Sequence, residues 1–429
     1  MGFALENAAP VSTVDFRVVY YSARCLLTHH DPYNEGELAE TYRLQGGETS
    51  RDTTGLHRME TEYIYFPTAF PFTVLFALFP WGPAHILWLG FTAASLILGA
   101  ILMWDIASVY APTVSGLLVG LTLANCELFF ILGNPAGIAI GLGVIAVWCF
   151  VRERWVTVGV LCMAISLMLK PHDSALVWLC LVLAERVYRK RALQTVLVLL
   201  VVSVASILWV THVAPNWASE FEANLVQNSA HGYLSDPGPK SSAGHGIGMI
   251  ISLQTVISVF RDNPRVYNPI AYAIVGALIL VWMVKTARSQ ISSTTIWFAL
   301  APISALSMLP LYHRLYDAKI LMLAIPACAM LWLRGGMIAW VSLFLNVAAI
   351  LLTGGFAWAI FFRILSHITL RETPNLPIVL TVLQVFPVPL TLLAFGSFYL
   401  HIYVKGKWRL QDESESARES RLDTDQAGR

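Results

Sequence analysis

Asp15 is the residue of this chain best suited to chemistry. It opens a short acidic and aromatic segment, Asp15-Phe16, Tyr20-Tyr21 and Asp31-Pro32-Tyr33, ahead of a long series of apolar runs. A carboxylate in aromatic surroundings beside a bilayer is partly desolvated, which raises its pKa and its basicity. That suits removal of a proton from an alcohol. An ordinary loop aspartate, or the N-cap of a helix starting near Phe16, fits the same residue. Lys170 ends an apolar run just before Pro171. At mid-bilayer a lysine costs ~2.5–3.5 kcal/mol on insertion scales. At a helix end it snorkels at much lower cost and is well placed to meet a lipid phosphate. His313, Arg314 and Asp317 interrupt two further runs. Arg314 suits neutralisation of phosphate oxygens, and His313 a hydrogen bond to phosphate or acceptor; a short self-paired loop is the plainer alternative.

Other polar groups carry weaker signals. Asn134, between Gly133 and Pro135, reads first as a turn. Asp31-Pro32-Tyr33 is a turn by its own chemistry, since Pro presets φ and Asp closes an Asx-turn. His29-His30-Asp31 reads as solvated loop rather than a metal site, and no carboxylate cluster demands a metal or cofactor. Asp423-Thr424-Asp425 resembles a metal-binding DxD but falls in a polar tail.

The elements that must position these groups are membrane helices. The chain has 429 residues, 56% hydrophobic and 13% charged, with mean hydropathy +0.63. A soluble domain carries roughly 25% charged residues, so this composition calls for a bilayer. The net charge of +1 gives no bulk attraction to nucleic acid. The six cysteines show no CxxC spacing and read as small hydrophobes. Residues 1–66 form a first polar loop with ten acids against five arginines. Apolar runs fill 67–404, about eleven or twelve segments, with a loop at 214–268 in which 247–260 suits an interfacial helix. Residues 68–104 fit either two crossings or a re-entrant piece plus one crossing. Residues 405–429 form a polar, disordered tail. Basic clusters at Arg152/Arg154, Arg186–Arg191, Lys285/Arg288 and Lys405–Arg409 mark the cytoplasmic side. Residues 1–66, Asn134, Lys170, loop 214–268 and His313–Asp317 then share the opposite face.

Taken together, these pieces resemble the GT-C superfamily of integral-membrane glycosyltransferases, and within it glycosyltransferase family 87. The resemblance runs over roughly residues 15–335. It rests on DFRVVYYSARCLL followed by DPY, on IYFPTAFPFTVLFALFP, and on GNPAGIAIGLGVIAVWCFVRERWVTVGVLCMAISLMLKP, in that order and spacing. It implies inverting transfer of a hexose, mannose first, from a polyprenyl-phosphate donor to a lipid or glycan acceptor. The family's first-loop Asp, the general base, carries onto Asp15, and its Lys-Pro onto Lys170. Its late His, usually in a Ser-Trp-x-His context, carries onto His313, here in Pro310-Leu311-Tyr312-His313-Arg314. Arg314 joins Lys170 as a donor-phosphate ligand. Tyr20, Tyr21, Asp31, Tyr33, Asn134 and Asp317 are the remaining candidates for substrate contact. Family members begin with a transmembrane helix before the Asp loop, so a start upstream of Met1 is expected.

The expectation is therefore an all-α polytopic membrane protein of GT-C type, acting at the extracytoplasmic face of a bacterial inner membrane. The alternative class is a transporter or flippase of lipid-linked glycans, which needs polar groups near the midplane; Asp105 and Glu127 keep it open. A third class, a non-catalytic scaffold, would tolerate loss of Asp15.

Overall fold

The computed structural model describes residues 13–45, 62–233, 235–239, 250–355 and 387–406. In chain order the helices are α1 Val14–Leu27, α2 Glu35–Leu44, α3 Phe70–Ala77 (after a 3-10 turn at Pro67–Ala69), α4 Trp81–Ala107, α5 Pro112–Ala124 and α6 Glu127–Leu132. Then come α7 Ala136–Val151, α8 Val156–Leu169, α9 Pro171–Leu183, α10 Arg186–Val213, α11 Trp217–Asn228 and α12 Leu253–Ser258. The last are α13 Pro264–Arg288, α14 Ile296–Leu306, a 3-10 segment Leu315–Ala324, α15 Ile325–Arg334, α16 Gly336–Leu352 and α17 Pro387–Lys405. Among the described residues there is no β-strand, and one isolated bridge pairs Ile250 with Arg314.

Among the described residues, six stretches are long and apolar enough to cross a membrane: α4, Pro112–Leu132, α10, α13, Leu315–Arg334 and α17. Six shorter apolar helices accompany them, Pro67–Ala77, α7, α8, α9, α14 and α16, in keeping with the segment count expected from sequence. The 28 residues of α10 rise about 42 Å at 1.5 Å each, more than a hydrocarbon core of about 30 Å. Its Leu193, Leu197, Leu200, Val201, Val204 and Leu208 are all exposed and recur at helical spacing. Such a stripe is costly in water and at home in lipid.

The bundle is organised around α7, α14 and the 3-10 segment, in which every residue is buried. Between lipid-embedded helices the hydrophobic effect gives little drive, and close backbone approach replaces it. A Cβ on Gly141 of α7 would come within 2.6 Å of the Ser95 backbone of α4, so only a residue without one lets these helices meet.

Two ends of the bundle differ in chemistry. One carries Asp15, Asn134, Lys170 and residues 313–317. The other carries Arg152 and Arg154 beyond α7, the basic start of α10, Lys285 and Arg288 closing α13, and Lys405 closing α17. Asp105, near the C-terminus of α4, belongs to this basic end, where Arg152 holds it at 3.0 Å.

The structure sharpens the sequence reading in two places and corrects it in a third. Residues 1–66 do not behave as a free loop in their described part: α1 and α2 form there, and α1 buries ten of its residues, among them Phe16, Val18 and Tyr20. The physical reason is the spacing of its apolar groups, which wraps a helix rather than alternating with solvent. Second, α3 has eight residues, about 12 Å of rise. Its flanks are tied to the Asp15 end by Thr68 Oγ1 donating to Met168 O at 3.2 Å and Tyr20 Oη to Phe79 O at 2.8 Å. Of the two arrangements expected for residues 68–104, the structure fits a short apolar helix plus one candidate span, α4. Third, the described part of 247–260 does not lie on the surface. Ile251 N and Leu253 N donate to His313 O and Leu309 O, Gln254 Nε2 donates to Pro310 O, and α12 is mostly buried. The tail beyond 406, with Asp423 and Asp425, lies outside the described residues.

Candidate functional site

Asp15 stands in the first turn of α1. The start of that helix is fixed by Thr13 N donating to Ile131 O at 2.6 Å and by the turn at Gly133. Gly133 has φ +66°, the left-handed region glycine enters at least cost. A Cβ there would also lie 2.7 Å from Phe16 Cβ. Both constraints seat α1 directly on the turn that presents Asn134.

Asn134 is 3% exposed and its orientation is dictated by its neighbours. Its Oδ1 accepts from Ala136 N at 2.9 Å, so the amide nitrogen must face the other way. Nδ2 donates to Asp15 Oδ2 at 2.7 Å and to Tyr316 Oη at 2.9 Å. Lys170 Nζ lies 5.1 Å from the Tyr316 ring centroid, a cation–π contact.

Lys170 separates α8 from α9. Pro171 has no N–H and excludes helical geometry from the residue before it; Lys170 accordingly has φ −149° and ψ 80°. Its side chain is 6% exposed and donates to Asp317 Oδ1 at 2.6 Å, with Asp173 Oδ2 at 3.8 Å. Asp317 Oδ2 accepts from Arg314 N at 2.8 Å. The Arg314 guanidinium donates to Tyr312 Oη and stacks over the Tyr312 ring at 5.3 Å. His313, fully buried, places Nε2 3.4 Å from Asp173 Oδ1.

A continuous polar chain thus runs Asp15–Asn134–Tyr316–Lys170–Asp317–Arg314, with Asp173 and His313 beside it. Burial lifts the Asp15 carboxyl above its ordinary range, while the Asn134 hydrogen bond and then the Arg314 and Lys170 charges pull it back. In Asn134→Ala the second of these influences disappears, so Asp15 should titrate at higher pH than in the wild type. Isotope-edited infrared carboxyl bands followed against pH would read this; an equal or lower midpoint would refute it.

Six of the sequence candidates, Asp15, Asn134, Lys170, His313, Arg314 and Asp317, are brought together. Four are not. Tyr20 and Tyr21 pack with Trp81 and Tyr42 and serve to hold α1. Tyr33 donates to Tyr65 O at 2.9 Å and stacks among Tyr63, Phe70 and Phe221. Asp31 closes the expected Asx-turn onto Tyr33 N at 2.9 Å. Its carboxyl is pushed up to about 6, by burial first and by the neighbouring Glu220 against the opposing bond from Tyr33 N. A raised acid pKa means stability present below the unfolded value and lost as pH rises through the folded one. Asp31→Asn keeps the turn acceptor, so it should melt higher than the wild type above pH 6, with the gain vanishing below about pH 4. A constant difference across that window would be inconsistent with this origin.

The sequence reading did not single out His172, Asp173, Tyr65, Tyr312, Tyr316 or Lys319. Tyr65 sits in the field of Asp15, and burial followed by that charge keeps its phenol protonated. His172 and Asp173 adjoin Lys170 in a KPHD string, which was legible as a polar break. Lys319 stood at the edge of an apolar run; it is buried and donates to Thr353 O at 2.9 Å. Two surface hollows of about 360 and 330 Å³ lie at the opposite end, lined by Tyr110, Trp332 and Arg152 among others. No site residue lines either.

The fold and site define a helical bundle with six candidate membrane spans and a buried acid–amide–cation chain at one rim. No protein-family model matches the chain, and neither does any curated protein or solved structure.

Proposed function

We propose that this chain is a GT-C-type membrane glycosyltransferase, resembling family 87, that moves a hexose, mannose first, from a polyprenyl-phosphate donor to a lipid or glycan acceptor. The observation that carries the reading is the bond from Asn134 to Asp15 in a chain that ends on Lys170 and Arg314. A base of raised pKa and two cations a few residues' width away are what an inverting transfer needs.

Asp15 takes the proton of the acceptor hydroxyl, and the oxygen attacks C1 of the sugar from the face opposite the phosphate. The C1–O bond to phosphate breaks with its electron pair leaving on the lipid phosphate. Lys170 and Arg314 offset that charge where it develops, and Asn134 keeps the base aimed. The membrane is the bacterial inner membrane, with the site on the extracytoplasmic side and the basic end in the cytoplasm, following the positive-inside rule.

The test is transfer of radiolabelled mannose from polyprenyl-phosphate mannose in vesicles containing the chain. Label appearing in a lipid or glycan product supports the reading. Absence of transfer from every polyprenyl-phosphate hexose would overturn it.

The second reading, a transporter or flippase of lipid-linked glycans, is favoured by one observation: Lys319 is buried within the apolar stretch Leu315–Arg334, and intramembrane charge marks transport paths. Redistribution of labelled lipid-linked glycan across the same vesicles, without transfer, would favour it.

A further inference from the structure

We propose that His172, Asp173 and His313 form a binding site for one divalent first-row transition ion of the zinc class. One donor atom from each residue lies within 4.8 Å of the others. His313 Nε2 and Asp173 Oδ1 are 3.4 Å apart, and His172 Nε2 and Asp173 Oδ1 3.7 Å. Metal–nitrogen and metal–oxygen bonds of about 2.0–2.1 Å set tetrahedral donor–donor edges of about 3.3 Å. The two carboxylate–imidazole separations therefore need only a slight contraction around an ion, while the imidazole nitrogens close in from within 4.8 Å of each other.

The donor atoms are also orphaned. His172 Nε2, His313 Nε2 and both carboxylate oxygens of Asp173 are buried without a hydrogen bond. Asp173 is 3% exposed and His313 fully buried. Buried polar atoms without hydrogen bonds are costly, and three of them, one from each residue, converging on one point ask for a shared ligand. Ion-pair attraction between His313 and Asp173 alone would leave His172 Nε2 unexplained.

The surroundings suit a metal ion. His313 Nδ1 lies 3.3 Å from Leu311 O. An Nδ1–H donated to that carbonyl leaves Nε2 as a bare acceptor, the arrangement metal-bound histidines use. Lys170 Nζ lies 3.8 Å from Asp173 Oδ2, so one carboxylate oxygen can ligate while the other faces the lysine. Two imidazoles and one carboxylate suit zinc and its first-row neighbours, and are too nitrogen-rich for magnesium or calcium. Three protein ligands leave a coordination position open. This site stands independently of the transfer reaction proposed above.

The experiment uses the full-length chain in detergent, purified on a tag without histidine, stripped with a chelator and re-equilibrated with Zn²⁺ or Co²⁺. Metal content and the visible d–d bands of bound cobalt are read. About one equivalent, with the intense bands of a four-coordinate nitrogen–oxygen site, is expected in the wild type and in the exposed control His30→Ala. His172→Ala/His313→Ala should weaken binding at least ~100-fold, the upper range already seen for outer-shell changes. Asp173→Asn, isosteric and safer to fold, should weaken it in the same direction. A wild-type protein that binds neither ion would overturn the proposal, and this outcome needs no variant. Equal binding by wild type and double variant would overturn it too.

Discussion

Asp15→Asn should abolish sugar transfer while leaving the protein folded, with a rate loss of about 10²–10⁴-fold, the usual contribution of a positioned general base. The amide keeps the oxygen that accepts from Asn134 Nδ2, so the 2.7 Å contact and the seat of α1 survive. What is lost is the ability to take a proton. Stability should move the other way. Because burial raises the Asp15 pKa, the ionised form is a burden at neutral pH that the amide does not carry. The variant should therefore melt no lower than the wild type at pH 7, with any gain disappearing in acid where Asp15 is protonated. Transfer rates and thermal melts on the same preparations check both parts. Transfer equal to wild type would remove Asp15 from the mechanism. A lowered melting point would show that the carboxylate is structural.

The largest effect on stability is expected for Lys170→Met. Lys170 and Asp317 are 6% and 1% exposed and 2.6 Å apart, and Asp173 lies on the same ammonium. Removing one partner of a buried pair typically costs about 3–5 kcal/mol because the other charge is left uncompensated. Here two carboxylates are left. Adding Asp317→Asn should recover part of the loss, since the amide oxygen can still accept from Arg314 N and, of the two carboxylates, Asp173 alone is then left opposite the methionine. A double variant that loses far less than the sum of the two single losses is the signature in the double-mutant cycle, measured by denaturation in a fixed detergent. A single variant as stable as the wild type, or additive losses, would mean that the pair is not the strut described.

Much of this was written in the amino-acid order, for identifiable reasons. Lys170 before Pro171 announces a helix break whatever the tertiary context, because the ring clash is local. The helical spans are legible because an apolar run of that length has one stable home. Asn134 was visible only as a turn; its bond to Asp15 spans 119 residues, and no local pattern encodes such a partner. The same limit hid Tyr316 and Asp173. The helix at Val14–Leu27 was obscured by Asp15, Arg17 and Arg24, which lower its hydropathy although the remaining face is buried. Lys319 was lost for the opposite reason: one charge at the margin of an apolar run looks like the margin.

The positions at which four of the helical segments begin have a consequence of their own. α1 starts at Val14, α7 at Ala136, α9 at Pro171 and the 3-10 segment at Leu315, so all four open at the same spot. Each segment's aligned peptide dipoles leave roughly half a positive charge at its start. Asp15, Asp173 and Asp317 each occupy a first turn, where that field favours a negative charge. Three carboxylates can therefore share a low-dielectric corner with Lys170 and Arg314 as fixed cations beside them. The field belongs to the backbone, so no side-chain substitution removes it. An anion approaching this rim meets peptide dipoles already oriented toward it, and they need no reorganisation when charge moves from one oxygen to another.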